Sequence, residues 1–145
     1  MTKKSTAEFF HLIPEMERDY CMSLAVRAGD QLYIGGLTAT DVEGNEIYAD
    51  DAGMQMKTVY EKMDGVLKAH GGCARDIVSE TIFYGVTASE YEELMFPHRQ
   101  KFYENTDGPS VAGVQVAGFV SEAIKVEVTA IAYLPQPTST SIEIV

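Results

Sequence analysis

A chain of 145 residues suits one domain and can bury about 70% of its unfolded surface, so no second core is expected. Its composition, 46% hydrophobic and 23% charged, is that of an ordinary globular protein and excludes a disordered or fibrous chain. Eleven Lys and Arg against 22 Asp and Glu leave a net charge of −11, which opposes nucleic-acid backbones and anionic membranes as partners.

Residues 1–19 are mostly polar, with Phe9, Phe10, Leu12 and Ile13 as an apolar island before Pro14. They read as an arm that docks on the body or on a neighbouring subunit. The island is too short and too broken by His11 for a signal peptide. No run approaches the ~20 apolar residues of a membrane span, and a cytoplasmic location is expected. Cys21 and Cys73 lack metal-ligand spacing and are too few for a disulfide framework, so both are expected as reduced thiols.

Residues 22–27 and 32–38 have strand composition around Ala28-Gly29-Asp30, a tight-turn sequence. Gly35-Gly36 inside the second run marks a bulge or a close backbone approach. The DVEGN segment, 41–45, is a turn. Asp50 and Asp51 then place negative charge before Met56, Val59, Met63, Val66 and Leu67, whose spacings of three and four predict an amphipathic helix ended by Gly71-Gly72. Residues 77–86 form a further strand.

Thr87 and Ser89, each followed three residues later by a glutamate, open a second helix that Pro97 should kink. NTDGP, 105–109, is a turn. Residues 110–134 read as a hairpin of two strands. In its second run Val126, Val128, Ala130 and Ala132 fall on one face, and Lys125, Glu127, Thr129, Ile131 and Tyr133 on the other. The tail 135–145 is Pro-, Ser- and Thr-rich, with Ile142 and Ile144 as a possible addition to a sheet edge. The domain thus spans 20–134, and the order strand, strand, helix, strand, helix, strand, strand predicts an α+β layer with two helices on one face.

Three stretches, AVRAGDQLYIGGL (25–37), the helix 55–71 followed by DIVSETIFYGV (76–86), and VQVAG with VEVTAIAYL, together resemble the Rid family of reactive intermediate deaminases, also called YjgF-like. The resemblance covers about 24–134. It implies a chorismate-mutase-like mixed sheet, a homotrimer whose sheets form a central barrel, interface clefts, and hydrolysis of enamines or imines of small metabolites. It implies no cofactor.

Carried over residue by residue, the resemblance puts the water-orienting glutamate at Glu127. The arginine that grips the substrate carboxylate falls on Val111, with Gly113 two residues on. A guanidinium fork is matched to a carboxylate, so its replacement implies an atypical substrate. The family's early serine-glycine pair becomes Gly35-Gly36, its tyrosine becomes Met22 or, with a shift, Tyr20, and an asparagine becomes Met95. Tyr84 is a further candidate hydroxyl.

The alternative reading of Glu127 is a polar residue on a solvated strand face, paired with Lys125 or with a neighbouring subunit, and the alternative for the whole chain is a non-catalytic trimer that binds a small molecule or a protein. His98 and Arg99 offer a substitute cation but fit a solvated helix face better. His70 reads as a cation at a helix C-terminus. No three of His11, His70, His98 and the cysteines have metal-site spacing, so no metal is expected.

Overall fold

The structure, a computed structural model, describes residues 6–135. The possible edge contribution of Ile142 and Ile144 lies outside them. Six strands form one mixed sheet: β1 (Glu8–Phe10), β2 (Ala25–Ala28), β3 (Gln31–Leu37), β4 (Ile77–Tyr84), β5 (Ser110–Gln115) and β6 (Val126–Tyr133). Their spatial order is β1-β2-β3-β6-β4-β5. The helices are α1 (Pro14–Asp19), α2 (Ala52–Ala69) and α3, over 88–102.

Local chemistry accounts for most boundaries. Gly29 takes φ +62 in the turn joining the antiparallel β2 and β3, a conformation cheap for glycine alone. Asp51 caps α2 by accepting from Met54 N–H at 3.0 Å, and its far end closes as a Schellman turn, with Gly72 N–H on Leu67 O at 2.8 Å and Gly71 at φ +77. Thr87 caps α3 through Glu90 N–H at 3.1 Å. The disturbance expected at Pro97 takes the form of a π-helical stretch over Tyr91–Met95 immediately before it, between the α-helical Ala88–Glu90 and Phe96–Phe102. Proline has no N–H to give the preceding turn, and the wider π register absorbs that loss.

The predicted faces of β6 hold. Val126, Val128, Ala130 and Ala132 pack with Leu32, Ile34, Leu37 and Ile82 against Met56, Val59, Met63 and Leu67 of α2. Helices α2 and α3 therefore cover one face of the sheet, giving the expected α+β layer. The opposite face carries Tyr33, Thr81, Phe83, Glu127, Thr129 and Ile131, none of them buried.

The hairpin expected over 110–134 does not form. β5 pairs in parallel with β4, and β4 lies between β5 and β6, antiparallel to the latter. The ten-residue link 116–125 crosses that strand. Alternation within each run is a local property, whereas the choice of neighbour is made by the core, which places the apolar β6 centrally under α2 and leaves the β5 residues exposed at the edge.

The start of the arm is also part of the sheet. Phe9 pairs with Val26 in an antiparallel β1–β2 ladder. No helix among the described residues is long and apolar enough to cross a membrane.

Candidate functional site

The irregularity in β3 makes the site. Between Ile34 and Leu37 the register with β6 shifts, as the Gly35-Gly36 pair predicts, and the bulge brings the β3 backbone up to the side chain of Glu127. A Cβ on Gly36 would lie 1.8 Å from Glu127 Oε1 and 2.7 Å from its Cδ. Only glycine leaves the carboxylate that space. Gly35 is tight for another reason: its Cβ would meet the carbonyl oxygens of Ser23 and Leu24, each at 3.2 Å.

Glu127 is half-buried, and burial pushes its carboxyl above the usual glutamate range. Lys125 does not neutralise it. That ammonium bonds Glu122 O at 2.8 Å and pairs with Asp50 at 3.4 Å. Among the described residues the Glu127 carboxylate makes no hydrogen bond or ion pair, and it lines a cavity of about 310 Å³ with Leu12, Ile13, Met16, Glu17, Met22 and Lys62.

Two of those residues carry charge that the sequence pattern did not bring forward. Glu17, on α1, is 3% exposed; its Oε2 accepts from Ile13 N–H, while Oε1 is buried without a partner. Lys62, on α2, donates to Thr38 O at 3.0 Å and Thr40 Oγ1 at 2.5 Å. Burial lowers its pKa from the ordinary lysine value, with Glu17 and Asp41 pulling the other way.

The predicted site residues divide into two groups. Gly36, Met22 and Glu127 share the cavity. Tyr20, 74% exposed, sits beyond the end of α1. Val111 and Gly113 are register partners of Glu80 and Ile82, whose side chains face the helices, whereas Glu127 is opposite Phe83 on the open face. Successive strand residues alternate faces, so these two walls lie on opposite sides of one sheet. Tyr84 belongs to the Val111 side, tilted on the Tyr91 ring with centroids 4.7 Å apart. Met95, on α3, is fully buried in the core.

Arg99 is not a solvated helix cation. Its Nε bonds Glu80 Oε1 at 2.9 Å, and Glu80, 2% exposed, also accepts from Tyr60 and Tyr103 hydroxyls at 3.1 and 2.7 Å. Burial, then the Glu80 charge, pushes both phenols up. Glu80 has the same parity as Ile82 on β4, a signal that it faces inward. His70 donates from Nδ1 to Val66 O at 2.8 Å at the end of α2, with Nε2 buried and unpartnered beneath the Phe10 ring. Cys21 and Cys73 are free and exposed. No cluster of three His, Cys, Asp or Glu placed to hold a metal occurs among the described residues.

A model of the family described as endoribonuclease L-PSP matches residues 13–134. A RutC family protein of Pyrococcus horikoshii is 27% identical over 111 residues, 77% of this chain and 85% of that protein. The structure of a Mycobacterium tuberculosis member of the YjgF/YER057c/UK114 family superposes with a TM-score of 0.74 at 21% identity, covering 89% of this chain and 100% of that one. RidA from the Antarctic bacterium Psychrobacter superposes with a TM-score of 0.67 at 25% identity, over 77% and 87% of the two chains.

Proposed function

The chain belongs to the endoribonuclease L-PSP family, which includes the YjgF and Rid proteins, and from that membership we propose that it hydrolyses small imines or enamines at Glu127. The observation that carries this reading is an unpaired, partly desolvated carboxylate held over a glycine at the wall of a cavity. A carboxylate with a raised pKa serves proton transfer near neutrality, where an ordinary one is too weak a base.

The step balances simply. Glu127 takes a proton from water as the oxygen bonds to the imine carbon, then returns it to the nitrogen of the carbinolamine. The C–N bond breaks as the hydroxyl proton passes by way of Glu127 to the departing nitrogen, ammonia leaves, and the carbonyl product remains. An enamine first tautomerises to its imine.

The site is completed, on this reading, by a second copy of the chain. Val111, Gly113 and Tyr84 cannot reach Glu127 through their own sheet, so the β5 edge of one protomer would meet the Gly36 wall of the next in a homotrimer. Val111 at the position of the family arginine supports a substrate that lacks an α-carboxylate or holds it differently. RNA cleavage is disfavoured, because a net charge of −11 and two carboxylates in the cavity repel phosphates.

The test is hydrolysis of freshly generated imines with and without a carboxylate. A carboxylate-free imine should be hydrolysed by the protein and not by Glu127→Gln. With 2-aminoacrylate, pyruvate release should hardly accelerate. Strong acceleration there, lost in Glu127→Gln, would retain the hydrolase and overturn the atypical substrate.

A further inference from the structure

The Glu127 cavity holds a second acid whose hydrogen bonding is incomplete. Glu17 Oε1 is buried with no donor, and a buried carboxylate oxygen without one is costly to maintain. The neighbouring cation does not supply it. Lys62 gives two of its three N–H donors to Thr38 O and Thr40 Oγ1, and no ion pair joins it to Glu17 among the described residues.

The cavity therefore has two carboxylates, one engaged ammonium and apolar walls from Leu12, Ile13, Met16 and Leu37. In such surroundings charge is screened weakly, so the sign of the ligand matters more than it would in water. An N–H donor carrying positive charge gains from both acids. A carboxylate is repelled by both. The last torsion of a glutamate is broad, and a turn of the Glu17 carboxyl presents Oε1 to an incoming donor without moving α1.

We propose that Glu17 determines specificity by accepting an N–H from a cationic substrate, an iminium group with no adjacent carboxylate. The proposal rests on the reading of this cavity as the hydrolytic site and names its substrate class. Water adds to the iminium carbon with Glu127 taking the proton, as above, while Glu17 holds the nitrogen end. Such an iminium arises by two-electron oxidation of a primary amine, so the reaction that supplies it is of the amine oxidase or dehydrogenase class.

The test uses the full chain and benzamidinium, a stable mimic of a protonated aryl imine, against benzamide and benzoate. By calorimetry benzamidinium should bind at least about tenfold more tightly than benzamide, the range expected for a hydrogen bond to a charged group, with benzoate weakest. Glu17→Gln should abolish that preference. Benzoate binding as well as benzamidinium, no benzamidinium binding at millimolar concentration, or an unchanged preference in Glu17→Gln would each overturn the proposal. If Glu17→Gln does not fold, Glu17→Asp, which shortens the reach of the carboxylate, takes its place: it should weaken the preference, and an unchanged preference would overturn the proposal.

Turnover separates this from the parent reading. With benzaldimine, made from benzylamine by a flavin amine oxidase, Glu17→Gln should raise KM with little change in kcat. With 2-imino-3-phenylpropanoate, made by an amino acid oxidase, it should not raise KM. If Glu127→Gln leaves hydrolysis intact, the hydrolytic reading fails while a Glu17-dependent benzamidinium preference still stands as a binding site.

Discussion

Gly36→Ala is the sharpest perturbation of the site, because the added methyl and the Glu127 carboxylate would claim the same volume. At 1.8 Å from Oε1 and 3.0 Å from Cγ, the new Cβ would force the carboxyl group to withdraw by more than an ångström. Its stability cost should be small. Overpacking a rigid core costs about 1–3 kcal/mol, but here the displaced atoms are the end of a flexible side chain facing a cavity, which places the cost near the low end. Gly36 is not among the positive-φ glycines, so alanine can adopt its backbone and returns about 0.4–1 kcal/mol by restricting the unfolded chain. The two nearly cancel.

Catalysis should not be spared. An error of about 1 Å in a catalytic group costs on the order of 100-fold. The expected outcome is urea unfolding within about 1 kcal/mol of the parent, with imine hydrolysis reduced to near the Glu127→Gln level. The double variant should be no worse than Glu127→Gln alone, since both act through one carboxylate. A Gly36→Ala protein that keeps kcat within a factor of about three, or whose activity falls only in step with its folded fraction, would refute the reasoning.

Glu80→Ala should destabilise by about 3–5 kcal/mol in urea unfolding, because it strands Arg99 and two buried hydroxyls, and a loss below about 1 kcal/mol would dismiss the network as structural support. Glu127 has its folded pKa raised by burial, so its ionisation works against folding: its stabilising contribution is whole below the ordinary carboxylate range and is lost as pH rises through the folded pKa. Glu127→Gln should accordingly match the parent at acid pH and melt higher near neutrality, which thermal scans across pH will show. Asp51→Ala removes the cap on α2 and should cost about 1 kcal/mol, read as a shift in the urea midpoint. Light scattering should report a trimer at micromolar concentration; a stable monomer would leave the two walls of the site apart.

What the sequence determined was local. Valine and alanine alternation fixed which face of β6 is buried, Asp51 and Gly71-Gly72 fixed the ends of α2, and Gly35-Gly36 marked the bulge beneath Glu127. Each depends on a few neighbouring residues, so each is legible in one chain. The tertiary structure alone decided that β4 separates β5 from β6, because strand partners are chosen by which faces the core can cover, over separations that periodicity does not encode. It likewise decided the fates of the charges. Glu80 needed Tyr60, Arg99 and Tyr103 from α2 and the end of α3 to be buried at all, and Glu17, in an arm expected only to dock, comes to share a cavity with Lys62 and Glu127 only once the chain is folded. A buried charge is stable only with its partners in place, and those partners lie far away in sequence.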